Sequence, residues 1–372
     1  MSALIRSLQA FCYRVPLAVP VVTSFGQMRD RPAVFIRMED EGGIVGWGEA
    51  WCNFPSVGAE HRARLVNDVL APRVVGQDSG PPGALHERLV AETAVLAVQA
   101  GEPGPLAQAI AGIDTAHADL CARRQGIPLY RMLGGSDPDV AVYASGINPT
   151  GAPETALRAL ARGHRAFKLK IGFDAAADDA NLAAIRREVG DLFLAADANQ
   201  AWTPAEAAAR LPALRDVGLG WLEEPIRADL PWEAWARLAG ADGPPLAGGE
   251  NIAGEEAFAE AFRAGILTVI QPDLAKWGGL SLCSRVGRAA LAAGRRFCPH
   301  YLGGGIGLLA SAHLLAAVGG DGMLEIDIND NPLRDLLCGP VGQVRDGRVR
   351  LGERPGLGVE PDLDALAQWR TL

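Results

Sequence analysis

The chain has six cysteines and no C-x-x-C pair, so no zinc-ribbon or dithiol motif is present to read. It has no H-x-H and no H-E-x-x-H, which disfavours a nitrogen-ligated zinc hydrolase. Positive charge is scarce: 35 Lys and Arg stand against 44 Asp and Glu, a net charge of −9. That balance argues against non-specific binding to nucleic acid or to an anionic membrane, both of which need a basic surface. No apolar run reaches membrane-spanning length; Leu308–Val318 is too short and carries His313. The opening MSALIRSLQAFCYRV lacks the long apolar core of a secretion signal. A soluble cytoplasmic protein with reduced thiols is the expectation. The run Gly303-Gly304-Gly305-Ile306-Gly307 lacks the Lys-Ser/Thr of a nucleotide P-loop. It reads as a tight strand-to-helix turn, with amides available to a substrate carboxylate at a helix N-terminus.

What is present is bulk and apolar content. The 372 residues, 49% of them hydrophobic, suffice for one large barrel and a smaller domain. Charged residues, at 21%, are too few for a disordered chain. Residues 1–50 alternate as strands do, with Ala3–Tyr13, Ala33–Met38 and Ile44–Glu49 as candidates. A Pro-containing loop, Pro16 to Pro32, is expected between the first two. Residues 58–125 read as helical. We expect an α+β capping domain over 1–125, a barrel over 126–330 and a tail over 331–372 packing back on the capping domain.

From about residue 140 short apolar runs alternate with Ala-rich helices. Eight strands are predicted: Val140–Ser145, Ala166–Ile171, Leu192–Ala196, Leu219–Leu222, Pro245–Ala247, Leu267–Gln271, Arg296–Cys298 and Met323–Glu325. Thr203-Pro204-Ala205-Glu206 carries an N-cap Thr, a Pro at the first helical position and a capping-box Glu. Polar residues fall at the strand ends with a regular period. Lys170, Asp197, Glu223, Glu250, Asp273, His300 and Glu325 are separated by 27, 26, 27, 23, 27 and 25 residues. A strand, a helix and two loops fill such a gap, because each parallel crossover needs a helix. Closed into a barrel, the strands would carry all seven residues to one face.

The residue types point to a cation and two bases. Asp197, Glu223 and Glu250 converging in a barrel mouth would repel one another unless an ion lay between them. All-oxygen donors favour Mg²⁺ first and Mn²⁺ second. Glu224 is the alternative to Glu223; alternation sends neighbouring side chains to opposite faces, and Glu223 keeps the 26-residue gap. Lys168 and Lys170, two apart, share a strand face. Their mutual repulsion and the cation are expected to lower their pKa values enough for a neutral lysine base. Asp273 can accept from one His300 nitrogen and fix its tautomer. Of six histidines only His300 lies on the series; His61, His86, His117, His164 and His313 read as surface or core residues. Glu325 can hydrogen-bond near the developing charge or only neutralise a lysine.

These motifs resemble the mandelate racemase group of the enolase superfamily. The match rests on Lys168-Leu-Lys170, Asp197-Ala-Asn199, Trp221-Leu-Glu223-Glu224-Pro225, Gly249-Glu250-Asn251, Gln271-Pro272-Asp273 through Gly278-Gly279, His300 and Glu325. It spans essentially the whole chain. The resemblance implies a modified (β/α)8 TIM barrel, an α/β fold, with an N-terminal α+β cap completed by the tail. It implies Mg²⁺ on Asp197, Glu223 and Glu250, with Lys168 on the substrate carboxylate. Lys170 is then a base on one face and the His300–Asp273 pair acts on the other. Asn199 lies near the substrate and Glu325 near its carboxylate oxygen. An oligomer, dimer or octamer, is implied as well. In the related muconate-lactonising group a Lys ends the sixth strand. Here Asp273 holds that place and Lys276 lies three residues beyond it, as either a residue behind the site or a loop residue.

The reaction implied is abstraction of a proton α to a carboxylate, giving an enediolate, a pattern known for that superfamily. Return of a proton to the α-carbon gives a racemase or epimerase. Protonation of a β-hydroxyl gives dehydration of a sugar acid (aldonate or aldarate) to a 2-keto-3-deoxy acid, the favoured reading because the resembling group widely does this. A barrel that binds metal without chemistry is the remote alternative. The loops Pro16–Pro32 and Trp51–Val57 are expected to close over the mouth. Trp51 and Phe54 wall the pocket or pack between domains. Arg29 and Arg31 are candidates for a distal carboxylate, against plain solvent exposure.

Overall fold

The computed structural model describes residues 4–23, 26–239 and 243–372, without the side chains of residues 18, 19, 22 and 23. The chain opens with an antiparallel sheet of β1 (Ile5–Thr23), β2 (Gly26–Asp40) and β3 (Val45–Ala50). The expected loop from Pro16 to Pro32 is instead the outer half of the β1–β2 hairpin, paired as far as Thr23 with Gly26. β1 is an edge strand, and a register shift between Pro16 and Val21 absorbs prolines that cannot donate to a ladder. Helix Pro103–Gln125 packs across β3, so closely that a Cβ on Gly48 would meet the Ala116 N at 2.7 Å.

The second sheet is the barrel. Its strands are β4 (Asp139–Ile147), β5 (Ala166–Lys170), β6 (Phe193–Asp197), β7 (Leu222–Glu223), β8 (Leu246–Gly248), β9 (Val269–Ile270), β10 (Arg296–Phe297) and β11 (Leu324–Asp327). Neighbours pair in parallel in the order β10-β9-β8-β7-β6-β5-β4-β11. β10 and β11 meet where Met323 N donates to Cys298 Sγ at 3.3 Å. A helix follows each of β4 to β10, as parallel crossovers require. The eight predicted strands are all present, with ends moved by no more than three residues. The helix predicted after Asp197 runs Pro204–Asp216 behind the Thr203/Glu206 capping box.

The tail divides its contacts. β12 (Arg348–Arg350) pairs antiparallel with β4 of the barrel. Thr371 N donates to Cys12 O at 2.8 Å, tying the last residues to β1. Asp119 joins cap and tail: one carboxylate oxygen accepts from Trp47 N at 2.8 Å and the other from Leu357 N at 2.6 Å.

Candidate active site

A layer of side chains plugs the barrel and sets the floor of the site. Tyr143, Ala166, Ala195, Trp221, Ala247, Val269 and Cys298 form one buried cluster, with Met323 packed against it. Tyr143 and Trp221 fill most of it, edge to face at 5.3 Å between ring centres. Side chains recur on one strand face every second residue. Two residues beyond the plug therefore come Ser145, Lys168, Asp197, Glu223, Gln271, His300 and Glu325, a polar layer on an apolar floor. All seven are buried.

The polar layer is a continuous network. Lys168 Nζ lies 2.7 Å from Glu223 and 2.8 Å from Glu325, with Asp197 at 3.8 Å. Lys170 Nζ donates to Asp197 at 3.1 Å and to Asn199 Oδ1 at 2.6 Å. Gln271 Nε2 donates to Glu223 at 2.8 Å. Glu325 accepts from Ser145 Oγ at 2.5 Å and from Tyr301 N at 3.2 Å. Asp273 accepts from Ala275 N with one oxygen and lies 2.8 Å from His300 Nδ1 with the other. That assigns the His300 proton to Nδ1 and turns Nε2 toward Glu250, 3.3 Å away.

Burial and neighbours set the charges. Burial opposes the His300 cation, but Glu250, Glu325 and Asp273 outweigh it and lift the pKa to about 10. Burial raises Glu223 to about 7, with Asp197 and Glu325 adding to it against Lys168. Burial also works against Glu325, yet Lys168 and His300 hold it down at about 2. The expected lowering of the lysines is reversed here. Burial and Lys168 pull Lys170 down, but Asp197 leaves it raised, and Glu223 and Glu325 hold Lys168 well above its ordinary range.

The mouth opens on a cavity of about 220 Å³ lined by Trp51, Asn53 and Phe54 from the cap and by Lys170, Asn199, Gln200, Glu250, Asn251, Lys276, His300 and Leu302 from the barrel. Lys170 and His300 both face it, from strands three apart one way round the barrel and five the other. A larger groove of about 330 Å³ beside Arg158 and Arg162 lies apart from this network, so chemistry and not size marks the site. Asn199, Gln200 and Glu224 hold positive φ of 44°, 64° and 37° where the chain leaves β6 and β7. Non-glycine residues take such angles where surrounding structure imposes them, commonly at functional sites.

The other sequence candidates have different outcomes. Arg31 is 2% exposed and its Nη2 lies 2.7 Å from Asp327, so its charge is already matched and it does not face the cavity. Arg29 is exposed and does not line it either. The Gly303–Gly307 amides do not await a substrate carboxylate: Glu49 of β3 takes Gly304 N at 2.5 Å and Gly307 N at 2.9 Å. Of the two readings of Lys276 the loop residue holds: it lies in the turn after β9, in the wall of the site, 3.2 Å from Glu250 and 4.9 Å above the Trp51 ring. Glu224 leaves the strand at its positive φ and is held by Asn251 Nδ2 at 2.8 Å. Burial and the nearby Glu250 raise its pKa well above the usual range. Ser145 and Gln200 are not among the sequence candidates, and Gln271 and Asn251 stand only within the matching motifs, without a role. The period of two along β4 and β9 from Tyr143 and Val269 was the signal for Ser145 and Gln271.

The donor set suits a hard divalent cation. Among the described residues no three His, Cys, Asp or Glu side chains already gather their donor atoms on one point; Asp197, Glu223, Glu250, Asp273 and Glu325 instead lean on a lysine or His300, and Glu224 on Asn251. Yet Asp197, Glu223, Glu224, Glu250, Asp273 and Glu325 face only Lys168, Lys170, Lys276 and His300, all buried or nearly so. Six carboxylates against four cations leave a surplus of negative charge, and oxygen-only donors in such a place fit Mg²⁺.

Comparison with known proteins identifies the family. Residues 5–134 match the mandelate racemase/muconate lactonizing enzyme N-terminal domain and residues 152–365 the enolase C-terminal domain-like family. A mandelate racemase/muconate lactonizing enzyme from Bordetella bronchiseptica superposes with a TM-score of 0.94 at 53% identity, covering 99% of each chain. A racemase from Streptomyces coelicolor, solved with bound magnesium, gives 0.87 at 29% identity over 99% of this chain and 100% of that one. A 3,6-anhydro-α-L-galactonate cycloisomerase of Streptomyces coelicolor is 33% identical over 98% of this chain and 99% of its own length. An arabinonate dehydratase of Saccharolobus solfataricus is 30% identical over 87% of each. The chain belongs to the enolase superfamily, in its mandelate racemase group.

Proposed function

We propose that the protein abstracts the proton α to a carboxylate and expels a β-hydroxyl as water, converting a sugar acid to a 2-keto-3-deoxy acid. The observation that carries this is the placement of Lys170 and His300 on two sides of one cavity, with Asp197, Glu223 and Glu250 between them. Those three carboxylates would hold Mg²⁺, or Mn²⁺ as second choice, a Lewis acid that stabilises negative charge on carboxylate oxygens. Lys168, already between Glu223 and Glu325, orients the substrate carboxylate, and Glu325 with Ser145 fixes the far side of Lys168.

Lys170 takes the α-proton on one face. As it stands its pKa is raised, by Asp197 and then Glu223; with those carboxylates turned to a cation, burial and Lys168 would favour its neutral, basic form. Asn199 holds its Nζ in place. His300, with a pKa near 10, is protonated at neutral pH and serves as the acid. It gives its Nε2 proton to the leaving hydroxyl, while Asp273 keeps the ring oriented. The resulting enol tautomerises to the keto acid.

Delivery of the same proton to the α-carbon would make the enzyme a racemase or epimerase, an activity that the magnesium-bound relative is named for. Incubation with a panel of sugar acids and Mg²⁺, read by semicarbazide trapping, is expected to show an α-keto acid. No keto acid from any member rejects dehydration. Deuterium at C2 from D2O without keto acid assigns racemisation instead.

A further inference from the structure

We propose that Arg62 is a positioning residue: it fixes the cap loop 51–58, and through that loop it sets how tightly the substrate is held against Lys170 and His300. The inference rests on the proton abstraction proposed above, which supplies the substrate. Trp51, Asn53 and Phe54 of this loop form the cap side of the cavity. Two bonds dock the front of the loop on the barrel. Trp51 N donates to Ala275 O at 3.1 Å, and Asn53 Nδ2 donates to Leu302 O at 2.6 Å. Arg62, on helix Gly58–Arg64, holds the loop from behind. Its Nη2 donates to Phe54 O at 3.4 Å and its Nη1 to Gly58 O at 3.1 Å, while Nε donates to Gln108 Oε1 at 2.9 Å. Gln108 belongs to helix Pro103–Gln125, which packs across β3. The guanidinium fork thus braces the loop against the body of the cap. Gly58 is shaped for it, because a Cβ there would overlap the guanidinium.

The charge of Arg62 separates this role from plain packing. The residue is 5% exposed, and among the described residues no Asp or Glu forms an ion pair with it. Burial pulls its pKa down, and neither Cys52 nor Glu102 restores it. Arginine stays charged even so. A buried cation without an opposite charge is costly to keep, and an apolar chain of similar length would fill the space without that cost. What the apolar chain lacks is donors for the two loop carbonyls. Arg14 also reaches the loop, at Ser56 O, but Asp30 and Glu60 account for its charge. Arg62 has only the loop carbonyls and Gln108.

The test compares the parent with Arg62→Met, each as the full chain with Mg²⁺. Hydrogen exchange read by mass spectrometry is expected to speed up by about 10-fold or more over residues 51–58 and to stay unchanged in the barrel strands. On the acid of the panel with the highest kcat/KM, KM is expected to rise by about 10-fold while kcat changes by less than about threefold, because wall contacts bind substrate and transition state alike. In a Phe54→Ala background, where the braced side chain is already gone, the same substitution should raise KM by less than about threefold. Unaltered exchange over 51–58, an unaltered KM, or an equal rise in KM in both backgrounds each overturns the proposal. Silence on every acid rejects the reaction proposed above, and exchange over 51–58 then decides by itself whether Arg62 holds the loop. If Arg62→Met does not fold, Arg62→Lys takes its place with the same outcomes, since one ammonium cannot span Gln108 and two carbonyls.

Discussion

Two kinds of buried histidine show how far surroundings decide a residue's behaviour. His300 is lifted to about 10, whereas burial drives His86, His117, His164 and His313 down to about 4. The difference is three carboxylates around His300 and no acidic neighbour strong enough to offset burial at the others. His313 gives a clean pH test. It is neutral when folded, accepting from Tyr130 N at 3.0 Å, and has the ordinary pKa of 6.5 when unfolded. Below 6.5 the unfolded chain binds a proton that the folded chain refuses. Its stability is thus full above pH 6.5 and falls as pH drops toward 4. Urea titrations at pH 7 and pH 4.5 should show His313→Gln losing less stability on acidification than the parent, by up to about 3 kcal/mol. Equal losses in both proteins would contradict a neutral His313. At the site, His300→Asn should reduce keto-acid formation by about 10²–10⁴-fold. Proton exchange at C2 through Lys170 should persist; loss of both to the same extent would mean that His300 is the abstracting base.

At the scale of elements, the cap and barrel are joined by carboxylates that reach across. Glu49 of β3 binds two amides at the start of helix Gly305–Val318, and the glycines there are required by the close approach. A Cβ on Gly304 would meet Glu49 Oε1 at 2.8 Å, and one on Gly305 would meet Arg334 O at 2.5 Å. Glu49→Ala should cost about 2 kcal/mol in thermal unfolding, because buried amides lose their acceptor. A melting temperature unchanged in that variant would show the clamp to be unimportant. Asp119→Ala strips acceptors from both Trp47 N and Leu357 N and should cost about 3 kcal/mol. Calorimetry that finds under ~1 kcal/mol would argue that the tail is held by other contacts. The glycine run was visible in the sequence, but its partner, 255 positions away, was not. The hairpin beyond Pro16 was misread for a related reason. Proline is a local signal for a loop, and only the edge position of β1 makes it tolerable in a strand.

For the whole molecule, the barrel turns a one-dimensional period into a ring. Divalent-cation binding to the folded form alone would stabilise all of it by mass action, about 2.7 kcal/mol at a hundredfold excess over Kd. Millimolar Mg²⁺ should therefore raise the melting temperature of the parent, and Asp197→Asn or Glu250→Gln should lose most of that rise. An identical rise in those variants would place the ion elsewhere. Oxygen-ligated Mg²⁺ also predicts that EDTA removes both the rise and turnover together.

The sequence by itself determined the barrel and the strand ends that carry Lys168, Lys170, Asp197, Glu223, Glu250, Asp273, His300 and Glu325. It could do so because a parallel crossover has a nearly constant length and a strand face repeats every second residue. Both are local rules. Only the tertiary structure decided who neutralises whom. Arg31 meets Asp327 across 296 positions, Glu49 meets the glycine turn, and Lys276 leans on Trp51 in the cavity wall. Electrostatic pairing depends on distances through space, and no periodicity along the chain encodes which distant segments the cap lays over the barrel mouth.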